Sequence, residues 1–176
     1  MLHKNDFQFG EKLRAKIVNK TDNILYLKDK YYTPILDLAI IYYIPVGDTY
    51  EYFVTYHNEN FFKQMLKKIR KESKFCLAKK CDSELYLVDE NEKNISIVAI
   101  LDTLLLDSIQ KELKNPFYIL PQSKYELRII PAGEILQVEK LESLKKELIA
   151  SNDDLPADYI VSNHIYYYDS GLSLAV

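Results

Sequence analysis

The sequence predicts an α+β domain, a largely antiparallel sheet with about three helices packed against it. Short runs of β-branched and aromatic residues alternate with turn-forming pairs such as Gly47-Asp48. Three longer segments between them carry apolar residues at helical spacing. The 176 residues, 48% hydrophobic and 28% charged, have the proportions of a single globular domain, with residues 1–33 the part whose fit is hardest to place.

Leu13 to Val18 and Ile24 to Tyr32 have strand-like patches, with Asp22-Asn23 as the turn between them. The run ILDLAIIYYI from Ile35 to Ile44 is almost continuously apolar, as a central strand buried on both faces would be, and Pro45 should end it. Tyr50 to Tyr56 returns after Gly47-Asp48 to complete a hairpin. Asn58 is placed to cap a helix over Glu59 to Lys74, in which Phe61, Phe62, Met65, Leu66 and Ile69 form one face. Glu84 to Asp89 and Asn94 to Ala99 form a second expected hairpin around Glu90-Asn91-Glu92-Lys93. A Leu-rich helix from Leu101 stops near Asn115 because Pro116 follows. Phe117 to Leu120 and Tyr125 to Ile130 are strands flanking Pro121-Gln122-Ser123-Lys124. Pro131 and Gly133 precede a third helix striped by Val138, Leu141, Leu144, Leu148 and Ile149. Ser151 to Asp158 reads as a loop and Tyr159 to Tyr168 as the closing strand, giving the order ββαββαββαβ.

Composition removes several function classes. The four glycines, Gly10, Gly47, Gly133 and Gly171, lie at least 37 positions apart, so no glycine-clustered phosphate loop or nucleophile elbow is present. Cys76 and Cys81 have neither zinc-knuckle nor Cys-x-x-Cys spacing, and so scarce a use of cysteine suits a reducing cytosol. No secretory leader or 18-residue apolar span is apparent, so a cytoplasmic protein that does not enter a membrane is expected. Against 26 acids, 23 bases leave a net charge of −3, yet Lys63 to Lys80 alone carries +7. Lys63, Lys67, Lys68, Arg70, Lys71 and Lys74 line the polar side of the first helix there. Only three arginines occur, and arginine is the residue whose planar fork reads phosphates and guanines, which disfavours nucleic acid as the partner.

The segments LYLVDENEKNISIVAILDTLLLDSIQKELKNPFYILPQSKYELRIIP and DYIVSNHIYYYDS carry a further signal. The short turn between strands, the Leu-rich helix, Tyr118-Ile119-Leu120-Pro121 with Ser123, and Ser162 followed by Tyr166-Tyr167-Tyr168 together resemble the C-terminal part of the bacterial family named domain of unknown function 5688. Upstream, LDLAIIYYI is similar to that family's apolar strand, so the likeness covers residues 35–169 and leaves 1–33 as an abbreviated N-terminal part. The resemblance implies a gut-type Firmicute source and a chain order. It implies no activity and no cofactor.

His57, at a strand-to-helix junction beside Tyr56, and His164, beside Ser162, are the titratable candidates for chemistry together with Asp37 inside its apolar run. No metal-ligand spacing joins any histidine to another ligand, so no metal site is expected. Asp102, Asp107 and Glu112 read as solvating the second helix. Tyrosine is in excess at fifteen residues, and its rigid amphipathic ring is enriched at protein interfaces. In a strand, Tyr167 must point opposite to Tyr166 and Tyr168. The expected function is therefore non-enzymatic protein binding or regulation through a surface drawn from Tyr56, His57, Tyr118, Ser123, Tyr125, His164 and Tyr167, with no cofactor. The alternatives are nucleic-acid or acidic-partner binding through the basic helix, and an enzyme with a cleft around Asp37, His57 or His164.

Overall fold

The computed structural model describes residues 13–47, 50–55, 60–79, 84–90, 96–135, 137–153, 155–156 and 160–175. The expected α+β class holds: two antiparallel sheets, four α-helices and two short 3-10 helices make up the regular structure among them. The chain divides into two compact units, Met1–Lys68 and Ile69–Val176.

In the first unit, β3 (Leu38–Val46) is the middle of the sheet. One edge pairs with β1 (Arg14–Asn19); the other pairs with β2 (Tyr32–Ile35) and then, further along, with β4 (Tyr50–Phe53). Alternation gives β3 two buried faces. On one, Tyr42 meets Phe61 of helix α2 (Asn60–Glu72) with ring centroids 5.4 Å apart, and Tyr31 stacks on Tyr42 at 5.9 Å. The Tyr42 hydroxyl shares a 2.8 Å hydrogen bond with Thr33 Oγ1, which satisfies a polar group that burial would otherwise penalise. On the other face Ala39 and Ile41 pack against Leu27 of the one-turn helix α1 (Ile24–Leu27).

The second unit holds a six-stranded sheet in the order β10-β9-β7-β8-β6-β5. Its strands are β5 (Phe75–Lys79), β6 (Leu85–Asp89), β7 (Phe117–Pro121), β8 (Leu127–Pro131), β9 (Tyr166–Tyr168) and β10 (Leu172–Leu174). Pleating turns Phe117, Ile119, Tyr166 and Tyr168 to one face and Tyr118, Leu120 and Tyr167 to the other. Helix α3 (Thr103–Leu113) covers the first face, where Asp107 Oδ1 accepts the Tyr168 hydroxyl at 2.7 Å. Helix α4 (Val138–Asp153) covers the second, packing Leu141, Leu144 and Leu148 onto Leu120 and Ile130.

Several expectations are corrected. The apolar run at 35–44 is not one strand: Leu36 and Asp37 form the two-residue turn of a hairpin, with Ile35 opposite Leu38. Leu36 takes a φ of 54°, a conformation that Gly or Asn usually advertises, so no turn residue marked the break. Pro45 does not end the strand, which continues to Val46. Proline is tolerated there because the residue lies two positions beyond the last one paired to β1. Residues 24–27 are helical rather than extended.

The hairpin expected over 84–99 does not form. Residues 96–101 are a 3-10 helix, and β6 pairs with β5, a strand absent from the expected order. Ile97 through Leu101 are buried consecutively, and burial on every side leaves no alternation from which to distinguish strand from turn. The helix expected third extends three residues into the expected loop, ending at Asp153. Of its stripe, Val138 is 68% exposed and Ile149 37% exposed rather than packed. Among the described residues of the closing segment only Tyr166–Tyr168 is strand, and β10 follows it. Asn58 lies outside the described residues.

Candidate functional site

Helix α3 begins on Asp102, whose Oδ1 accepts the backbone N–H groups of Leu104 at 3.1 Å and Leu105 at 3.4 Å. Arg70 grips the same carboxylate in a fork, Nε to Oδ2 at 2.8 Å and Nη2 to Oδ1 at 2.7 Å. Those hydrogen bonds hold the Asp102 carboxyl below the usual carboxylate range, with the Arg70 bond the largest cause. Asp102 is thus a buried helix cap, and Asp107 a buried hydroxyl's acceptor; neither solvates the helix as expected. Asp102 was readable as a cap, since it immediately precedes a leucine stripe.

This pairing also thins the basic face. Arg70 is committed to Asp102, Lys74 to Glu90 at 2.5 Å, and Lys68 donates to the Leu13 carbonyl at 3.3 Å. Lys63, Lys67 and Lys71 remain exposed at four-residue intervals along α2.

Of the residues proposed for chemistry, Asp37 lies in the β2–β3 turn, where Asn19 Nδ2 donates to it at 3.3 Å. The backbone N–H of His164 donates to Ser162 Oγ at 3.0 Å. His57 and Tyr56 lie outside the described residues. No group of three or more His, Cys, Asp or Glu able to hold a metal occurs among the described residues. Nor is any helix among them long and apolar enough to cross a membrane.

The tyrosine set separates into two places. Ser123 Oγ accepts the Tyr125 N–H at 3.1 Å, so that serine builds the β7–β8 turn, and Tyr125 stands 48% exposed beside Lys124. Tyr118 and Tyr167 are register partners across β7 and β9, both half-buried, with ring centroids 5.1 Å apart. Burial raises the Tyr167 hydroxyl above its ordinary value, with Asp169 adding to the rise. As expected, Tyr167 faces away from the fully buried Tyr166 and Tyr168.

One strand outward from Tyr167 lies β10, which sequence reasoning missed although Leu-Ser-Leu after Asp169-Ser170-Gly171 has the form of a strand following a turn. Gly171 O accepts the Asp169 N–H at 3.1 Å, and the Ala175 N–H reaches Ile165 O at 2.8 Å. Residues 171 and 175 therefore turn their backbone groups toward β9, and the period of two sends those of Leu172 and Leu174 to the outer edge. Leu174 is 43% exposed.

Edge strands invite pairing with other chains and are normally blunted by charge or proline. Among the described residues Arg14 lies on β1, Pro34 on β2 and Lys79 on β5, while Lys16 of β1 and Glu51 of β4 pair with each other at 2.5 Å. β10 carries neither device.

The chain matches no protein-family model, no curated protein and no solved structure.

Proposed function

We propose that this chain is a non-enzymatic protein-recognition module that accepts an extended partner segment along the outer edge of β10. The unprotected edge is the observation that carries the reading. Backbone hydrogen bonds from Leu172 and Leu174 would supply affinity, and the Tyr118–Tyr167 pair would offer amphipathic contact area one strand inward. Cytoplasmic location belongs to the same proposal and is supported by the scarcity of cysteine. The resemblance to domain of unknown function 5688 is proposed alongside it, and it adds a chain order without a reaction.

Capture from a native lysate tests the reading. Leu174→Pro removes an outward N–H and leaves the β9 ladder intact, so the wild-type chain should retain a specific protein that this variant loses. No specific capture, or identical capture by both, overturns the proposal.

A second reading rests on Lys63, Lys67 and Lys71, whose spacing aligns three exposed ammonium groups on one stripe of α2. A polyanion would bind there through charge. Replacing all three by Gln should then lower the slope of log affinity against log salt by about 0.9 per lost phosphate contact. DNA and RNA binding that is absent at low salt removes this reading.

A further inference from the structure

We infer that the first unit carries a binding site for a trimethylammonium group in the corner between Tyr26 and Phe53, a position that the chain's own Lys30 ammonium occupies in this structure. The site owes nothing to β10. Strand alternation puts Lys16, Tyr43, Glu51 and Phe53 on the sheet face that α1 covers. Tyr26 of α1 stands nearly perpendicular to Phe53, with ring centroids 5.8 Å apart and planes at 85°, and Tyr43 lies 6.0 Å from Phe53 on the neighbouring strand. Aromatic faces attract cations through the ring quadrupole, and this cluster expresses that preference twice. Lys30 Nζ sits 3.8 Å from the Tyr26 centroid and 5.0 Å from that of Phe53. Lys16 Nζ sits 5.2 Å from Tyr43 and 5.9 Å from Phe53.

The two cations are held differently. Lys16 is locked to the Glu51 carboxylate at 2.5 Å, whereas Lys30 donates to the Tyr26 carbonyl at 2.7 Å in an exposed position, where water can take over the bond. Lys30 is therefore the displaceable occupant. A primary ammonium is a strongly hydrated point charge and gives up water to lie on a ring. A trimethylammonium has no N–H to hydrate and spreads its charge over its methyl groups, so it keeps the ring attraction at a smaller desolvation cost. The walls are prepared for it. Phe53 is fixed against buried Leu27, Ala39 and Ile41, while Tyr26, 39% exposed, leaves the corner open to solvent. Burial and then Glu51 hold the Tyr26 and Tyr43 hydroxyls above their ordinary value, so the field of that carboxylate reaches both sides of Phe53.

Proton NMR of the purified full chain titrated with choline chloride at constant ionic strength is the test, because methyl groups seated on ring faces shift upfield. The choline methyl signal should move upfield and saturate, and its neutral isostere 3,3-dimethylbutanol should not follow. Phe53→Leu and the more exposed Tyr26→Leu each remove a wall and should weaken binding roughly tenfold. Lys30→Met empties the corner and should strengthen binding several-fold. Lys28→Met removes an equal exposed charge two residues away and should change binding by less than about twofold, because solvent screens it. A short peptide carrying trimethyllysine is the second arm: tighter binding than choline assigns the group to a protein partner, and weaker binding assigns it to a small molecule. No response from either probe, an equal shift for the neutral isostere, a Tyr26→Leu chain that binds like wild type, or a Lys30→Met chain that binds no better than Lys28→Met overturns the inference.

Discussion

Arg70 and Asp102 form a two-point ion pair, 2.7 and 2.8 Å, in which the carboxylate also caps the first turn of α3. One side chain thereby satisfies two orphan backbone donors and an arginine fork at once. The Asp102 side chain is 8% exposed and that of Arg70 42% exposed, so the two partners contribute unequally.

Asp102→Ala should therefore cost about 1–2 kcal/mol, the upper part of the range for a lost cap because the carboxylate also holds Arg70. Arg70→Ala should cost only about 0.5–1 kcal/mol, because solvent screens the exposed partner. Urea unfolding of both variants measures this. Equal losses, or a neutral Asp102→Ala, would contradict the assignment of the cap as the larger contribution.

The same pair sets an acid dependence. The folded carboxyl of Asp102 titrates below its unfolded value of about 3.9, so its contribution is complete above that value and is lost as pH falls through the folded one. Asp102→Asn keeps a capping oxygen and loses the charge. The stability gap between wild type and Asp102→Asn should be constant near neutrality and close below about pH 4. A gap that widens in acid would reverse the sign.

Tyr168→Phe deletes the hydroxyl that bonds Asp107 at 2.7 Å and the Thr103 carbonyl at 3.3 Å, at a cost of about 1–2 kcal/mol. Burial, with Asp107 accepting the bond, pushes the Tyr168 hydroxyl up to about 12; burial likewise pushes Tyr42 and Tyr86 up to about 12. These raised values contribute stability that is whole below about pH 10 and is lost as pH climbs toward 12. Ultraviolet titration of the folded chain should show a late-ionising group of tyrosines, one fewer in Tyr168→Phe.

Lys114 ends α3 in the left-handed conformation, φ 56°, at a position where Gly carries no Cβ penalty. Lys114→Gly should raise stability by about 0.5–1 kcal/mol, and Leu36→Gly, φ 54° in its hairpin turn, should act in the same direction. Thermal midpoints that fall in both variants would show that these positions are not the strained ones.

Much of the architecture was legible because its signals are local. The stripe of α2 and the Leu-rich helix stopped before Pro116 follow from spacing and from proline's missing donor, and the strands expected at 117–120 and 125–130 are found at 117–121 and 127–131, each ending on a proline that the sequence reading placed outside it. The opposed facing of Tyr167 between Tyr166 and Tyr168 follows from the pleat alone. Local signals failed where a residue behaved against its type, as Leu36 does in a turn, or where burial was continuous, as at Ile97 to Leu101.

The sequence by itself determined an α+β class, a lysine-rich helix, and the wide spacing of its four glycines. Only the tertiary structure decided which charges are spent: Arg70 reads as one base in a solvated row until Asp102, 32 positions away, closes on it. Only the structure decided that Tyr118 and Tyr167 meet, and that β6 pairs with β5 and β8 while residues 96–99 lie in a 3-10 helix. The physical reason is common to all three. A contact between distant positions is selected by the burial and hydrogen-bonding demands of both partners together, and neither partner's neighbourhood in the chain carries that information. The open edge at Leu172–Leu174 belongs to the same class, because a strand becomes an edge only when the whole sheet order is known.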